Sequence, residues 1–259
     1  MGSDLSKDLK LASAAEEELK PLVYHKSPEV IAVIINNKNL TEDLATIIAG
    51  RRNIDSGILE SLSHHVRWKD SYKVRLALCK NPKTPQKITF SLIKFLRVFD
   101  LADLTRNNAL PVNVRVKIEG EISKKIPAMA LGVKITLAKR ASSNVLMKLI
   151  EEGLREVVAV CLDSPYMTEG DIYKIISMKK ISLHIIRMIA EHPKWSARYQ
   201  IIWALIINKH APLVAVVKFL KDMKTTDLKE LYAAPDVPSS TKLQIYRELL
   251  EREESNGSV

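Results

Sequence analysis

Two aromatic pairs in this chain share one spacing: Trp68 with Tyr72, and Trp195 with Tyr199. On a helix, residues four apart lie on one face, so an indole and a phenol at that spacing can form a platform for a base or a peptide side chain. The same pairs suit packing, where large aromatics fill the same gap between helices twice. Packing explains both copies at once and is the expected role. Trp203, whose counterpart in the earlier pair's neighbourhood is Leu76, reads as core. His65 and His192 each stand three residues before a Trp of these pairs. A metal ligand or a general base would need Asp, Glu, His or Cys converging on it. His64 and His65 are adjacent and diverge on a helix, and neither HExxH nor CxxC occurs. Both histidines are expected to hydrogen-bond at helix ends, with no metal site.

The carboxylates Asp100, Asp227, Glu42 and Glu169 have helix-capping or first-turn explanations that need no catalysis. No GxGxxG, P-loop or nucleophile elbow is present, which speaks against dinucleotide, NTPase and hydrolase chemistry. The expectation is a protein without catalytic residues and without a cofactor.

One feature is left unexplained by packing. The chain carries a net charge of +10, unevenly spread. Residues 1–65 hold 7 basic and 10 acidic side chains, residues 66–149 hold 18 and 5, and residues 150–259 hold 15 of each. The middle third therefore supplies candidates for contact with a partner or a polyanion: Lys83, Lys87, Lys94, Arg97, Lys124, Lys125, Lys134, Lys139 and Arg140. Dispersed lysines without glycine-rich or RNA-type aromatic motifs favour contact with a phosphate backbone over base reading. A solvated face that keeps the protein in solution is the plainer alternative.

The elements that must position these residues are helices. Apolar residues recur at three and four, as in Ile88, Leu92, Ile93 and Leu96, and no hairpin signal appears. Shifting the sequence by 127 residues lays 29–111 on 156–238 without a gap, with about 21 of 83 positions identical. Trp68/Trp195, Tyr72/Tyr199, Asn81/Asn208 and Pro85/Pro212 all coincide, and these eight are expected as structural junction residues. Thr41 and Thr168 read as N-caps, and Pro85 and Pro212 as first helical positions. Asn81 and Asn208 read as left-handed helix ends, and Asp100 and Asp227 as caps of the following helix. Segment 112–149 bridges the copies with further helices over 112–124, 130–140 and 142–152. Residues 1–22 form a polar, helical-at-best extension, and 251–259 a charged tail expected to be disordered. The expected architecture is a single all-α, right-handed α-solenoid over 23–250.

The run Asn81-Pro82-Lys83-Thr84-Pro85, followed by a Leu/Ile helix, resembles the Asn-Pro-x-Thr-Pro signature of bacterial leucine-rich-repeat-variant and HEAT-like α-solenoids. Degenerate versions stand at Asn36-Asn37-Lys38-Asn39, at 163–169 and at 192–195. The resemblance implies a scaffold or binding surface and no reaction. Some such proteins carry a cysteine-ligated iron–sulfur cluster near the N-terminus, but here that segment has no cysteine.

Cys79 and Cys161 fall in apolar segments and read as free thiols of a reducing cytoplasm. The longest apolar run, 201–207, is too short for a membrane span, and the N-terminus lacks the apolar core of a secretory signal. The expected function is non-enzymatic binding of a protein or peptide. Sequence-nonspecific nucleic-acid binding through 66–149 is the alternative, and a HEAT-like DNA glycosylase using Trp68, Trp195 and Asp70 a distant third.

Overall fold

The computed structural model describes residues 14–257, with no β-strand among them. The chain divides into two compact units at 125/126, inside the segment expected to bridge the copies. The first unit holds α1 (Glu16–Leu22), α2 (Pro28–Ile35), α3 (Glu42–Gly50), α4 (Ser56–His64) and α5 (Tyr72–Lys80). It continues with α6 (Gln86–Leu92), a 3-10 turn (Ile93–Phe95), α7 (Val98–Thr105) and α8 (Val112–Lys125). The second opens on a 3-10 turn (Ile126–Ala128), then α9 (Leu131–Ala138), α10 (Ser143–Glu151), α11 (Arg155–Asp163), α12 (Glu169–Ile176) and α13 (Leu183–Glu191). It ends with α14 (Tyr199–Ile207), α15 (Leu213–Asp222), α16 (Thr225–Ala233) and α17 (Ser239–Gly257).

Within each unit helices pack on their immediate neighbours and, in many cases, on the next helix but one. In the first unit α3 packs on α5 and α5 on α7, while α2 packs on α4. In the second, α12 packs on α14, and α9, α11 and α13 follow one another. Most of the helices are too short to be stable alone and are held by the apolar stripe each buries. On α13 that stripe is Ile185, Ile186 and Ile189, and on α10 it is Val145, Leu146, Leu149 and Ile150, all buried. Each such side chain contributes about 1.5–3 kcal/mol on burial.

The helix starts at Thr41 and Thr168 are as the sequence implies. The Thr41 hydroxyl accepts from Leu44 N, and Thr168 forms a reciprocal capping box with Asp171. Four other readings need correction. Asn81 and Asn208 are extended (ψ 118° and 119°), and among the described residues positive φ occurs only at Gly153 (φ 75°), which closes α10. Asp100 and Asp227 are not caps, since Arg97 and Lys224 hold the cap positions and the carboxylates sit in the first turn. Pro85 and Pro212 are themselves the cap residues, one place earlier than expected. Trp68 lies in the turn before α5, so it does not share a helix face with Tyr72. Of the expected disordered tail, residues 251–257 are helical; most of the N-terminal extension, 1–13, lies outside the described residues.

Candidate binding grooves

Each unit carries an open groove built at the ends of stacked helices, and a small set of asparagines shapes them. Asn81 ends α5: its Oδ1 accepts from Lys83 N at 3.0 Å, and its Nδ2 donates to Ala49 O at 2.7 Å and to Arg51 O at 2.8 Å. The side chain thus closes its own turn and ties it to carbonyls at the end of α3 that the helix leaves unpaired. Asn208 does the same at the end of α14, accepting from His210 N and donating to Ile176 O, both at 2.8 Å. Asn37 and Asn107 repeat the device, with Nδ2 donating to Ala14 O (3.1 Å) and Lys80 O (3.4 Å). In each case the residue four positions on (Thr41, Pro85, Pro111 or Pro212) immediately precedes the next helix.

Against these clips lies a cavity in each unit. In the first, about 540 Å³ opens between α3, α5 and α7, over Thr46, Gly50, Leu76 and Ala77, with Asn81 and Asn107 at one end. In the second, about 550 Å³ opens between α12 and α14, over Tyr173, Ser177, Trp203 and Ala204, with Asn208 at the end. These are the same positions shifted by 127 residues: Thr46 with Tyr173, Gly50 with Ser177, Leu76 with Trp203, Ala77 with Ala204, Asn81 with Asn208. Arg52 and Lys179, another such pair, line the first and the second cavity respectively.

The linings differ in chemistry. In the first groove Lys73 is held by Asp43 at 2.8 Å and lies 3.6 Å from Glu42. Its ammonium pKa is raised, chiefly by the hydrogen bond to Asp43. Asp103 faces Arg106 at 3.4 Å. Arg52 and Lys80 complete the lining as exposed cations. The second groove has a phenol and an indole where the first has Thr46 and Leu76. It carries the exposed Lys179 and Lys209, and no carboxylate lines it. Trp203, expected in the core, is only half-buried and stands 6.4 Å from the Tyr199 ring.

The aromatic and histidine residues singled out in the sequence sit at junctions. Trp68 and Trp195 are 6% and 2% exposed, and Trp195 Nε1 donates to Leu162 O at 2.9 Å. Arg67 lies over the Trp68 ring at 4.5 Å and Lys194 over Trp195 at 4.1 Å. Buried in this way, neither indole can act as a stacking platform, nor as the lesion-facing Trp of a glycosylase; Asp70 is bound to Arg75 at 2.6 Å. Tyr72 and Tyr199 each begin a helix and donate their hydroxyl to Asp100 and Asp227. The Tyr199 phenol is pushed up to about 12, first by that hydrogen bond. His65 and His192 are C-cap residues; each Nδ1 accepts from the backbone N–H two residues on, and His192 Nε2 meets Asp163 at 3.1 Å. Among the described residues no group of three or more His, Cys, Asp or Glu is placed to hold a metal ion.

The basic candidates are divided between the units. Lys83, Lys87 and Lys94 are exposed around α6, and Arg97 lies over the Tyr72 ring at 4.8 Å. Lys124 pairs with Glu121 at 2.8 Å, and Lys125 is half-buried. Lys134 departs from expectation: it is 5% exposed and bonded to Glu152 at 2.9 Å, so it is structural and cannot meet a partner. Lys139 and Arg140 are exposed at the end of α9. Other cations are also tied inward. Arg67 donates to Asn37 O and Leu40 O, and Arg252 to Met223 O and Leu220 O.

Sequence reasoning missed the groove residues Gly50/Ser177, Arg52/Lys179 and Leu76/Trp203. The available signal was variation between the copies next to the invariant Ala77/Ala204 and Asn81/Asn208. Compared with protein-family models, curated proteins and solved structures, the chain matches none. No helix among the described residues is long and apolar enough to cross a membrane.

Proposed function

We propose that this is a non-enzymatic interaction protein that binds segments of a protein partner in its two grooves, on a duplicated α-solenoid framework of the leucine-rich-repeat-variant or HEAT-like kind. The observation that carries this reading is the pair of open cavities at positions 127 residues apart, each ended by an asparagine clip. Concave sites of this volume with mixed apolar and cationic lining suit a few side chains of an extended or helical peptide. The duplication is supported by the repeated Tyr–Asp bonds and the repeated Asn clips. We place the protein in the cytoplasm, a location that two buried free thiols favour.

The test is selection of peptides from a random displayed library on the wild-type chain, followed by counter-screening on Gly50→Trp and Ser177→Trp. Both substitutions put an indole into a groove from an exposed position. Enriched peptides that lose binding to one of the two variants support the reading. A library that yields no binder, or binders indifferent to both substitutions, sinks it. Tight retention of single-stranded RNA, lost on changing Lys83, Lys87 and Lys94 to Glu, would instead favour the polyanion alternative.

A further inference from the structure

We infer that the groove of the second unit is selective: it takes an acidic peptide segment that carries an aromatic side chain. This rests on the reading of the grooves as peptide sites and names the ligand of one of them.

Charge is the first argument. Lys179 and Lys209 stand exposed on the groove's lining, neither has an ion-pair partner among the described residues, and no carboxylate lines the cavity. Cations left unneutralised beside a hollow raise the local concentration of anionic ligands and reject cationic ones. The equivalent groove in the first unit is different, with Asp103 in its lining and Lys73 already bound to Asp43.

Shape and surface chemistry give the second argument. Trp203 and Tyr173 replace Leu76 and Thr46, so the groove gains two aromatic faces while Ile176, Ala204 and Ile207 keep it apolar. An aromatic ring is the ligand group that gains most from such walls, by offset or edge-to-face contact.

Polar groups in the lining provide the third. The Asn208 carboxamide is engaged with Ile176 O and His210 N, and Ser177 Oγ donates to Tyr173 O at 2.9 Å. The amide oxygen and one of its N–H groups are thus committed to the backbone, which leaves little of the lining in a fixed donor–acceptor pattern for a base edge and favours a peptide over a nucleotide.

Fluorescence anisotropy on the full chain tests this with short labelled peptides: one of Asp and Glu around a central Phe, the same with Ala for Phe, and one with Lys for every acid. Oligouridine is the competing probe. The acidic Phe peptide should bind, weaken about tenfold or more in Lys179→Glu/Lys209→Glu, and weaken with added salt. Replacing Phe by Ala, or Trp203 by the Leu that the first unit uses, should weaken it about fivefold. Lys69→Glu, a charge reversal at an exposed position outside both groove linings, should change nothing. Equal binding of the lysine peptide, indifference to the double charge reversal, or tighter binding of oligouridine overturns the inference. If library peptides occupy the grooves without preferring acids, the inference falls and the general peptide-binding reading stands. If no peptide of any charge binds, both fall.

Discussion

At the scale of single residues, asparagine carries more of this architecture than its modest hydrophobic value suggests. Asn81 is 3% exposed and satisfies two carbonyls of another helix end while closing its own turn. Leaving a buried acceptor without a donor costs about 1–3 kcal/mol, more than the net contribution of a typical hydrogen bond. Asn81→Ala should therefore lose about 2–3 kcal/mol in urea unfolding with an unchanged m-value. Asn208→Ala, half-buried and with one bond to a helix-end carbonyl, should lose about half as much. Equal stability of Asn81→Ala and wild type would rule out the clip. The spacing of these asparagines from the next helix start is legible in the sequence, but the mechanism was not. A left-handed backbone and an asparagine side-chain turn place the same residue at the same position. Only the location of the carbonyls at the end of α3 and α12 selects the second.

At the scale of elements, the helices are joined by polar latches at their first turns. Tyr199 opens α14 and donates to Asp227 in the first turn of α16, and Tyr72 on α5 meets Asp100 on α7 in the same way. The Tyr199 phenol sits at about 12 in the folded chain, against 10.0 ordinarily. The unfolded chain thus releases that proton first as pH rises, and stability falls across the window from about pH 10 to about pH 12. The melting temperature of the wild type should drop through that window, and that of Tyr199→Phe should drop less. Parallel curves for the two proteins would refute the latch. Asp100 and Asp227 were legible as duplicated carboxylates, but sequence distance hid their partners, which lie on the next helix but one. Lys134 shows the same limit from the other side. In the sequence it is one more lysine of a basic stretch, and only packing of α9 against the turn after α10 makes it a buried partner of Glu152.

For the whole molecule, positions identical at the 127-residue offset, such as Tyr72/Tyr199 and Asn81/Asn208, hold helix ends together, while the linings of the two hollows differ at positions such as Thr46/Tyr173 and Leu76/Trp203. Gly50 illustrates the freedom of the second group: a Cβ added there would meet no heavy atom within 4 Å. Gly50→Trp should fold normally and melt no lower than the wild type, since a helical glycine is replaced by a residue of higher helix propensity. A lowered melting temperature would mean that the groove is part of the packed framework and not an available surface. The net charge of +10 is likewise better understood residue by residue than as a sum. Arg67 and Arg252 are spent on backbone carbonyls, Lys134 on Glu152, and Lys73 on Asp43, whereas Lys179 and Lys209 stand beside a hollow.

Taken by itself, the sequence determined that the described residues are helical and, to within a few residues, where many of the helices begin. Helix periodicity, caps and prolines act within a few residues of each other, so they can be read along the chain. It also marked Trp68, Tyr72, Trp195 and Tyr199 as junction material through their repetition. The tertiary structure alone decided which carbonyls the asparagines reach, which tyrosine meets which aspartate, which cations are neutralised, and where small residues leave space. Those are contacts between residues roughly 18 to 33 positions apart. They depend on how one helix is stacked on the next but one, and no local pattern encodes that distance.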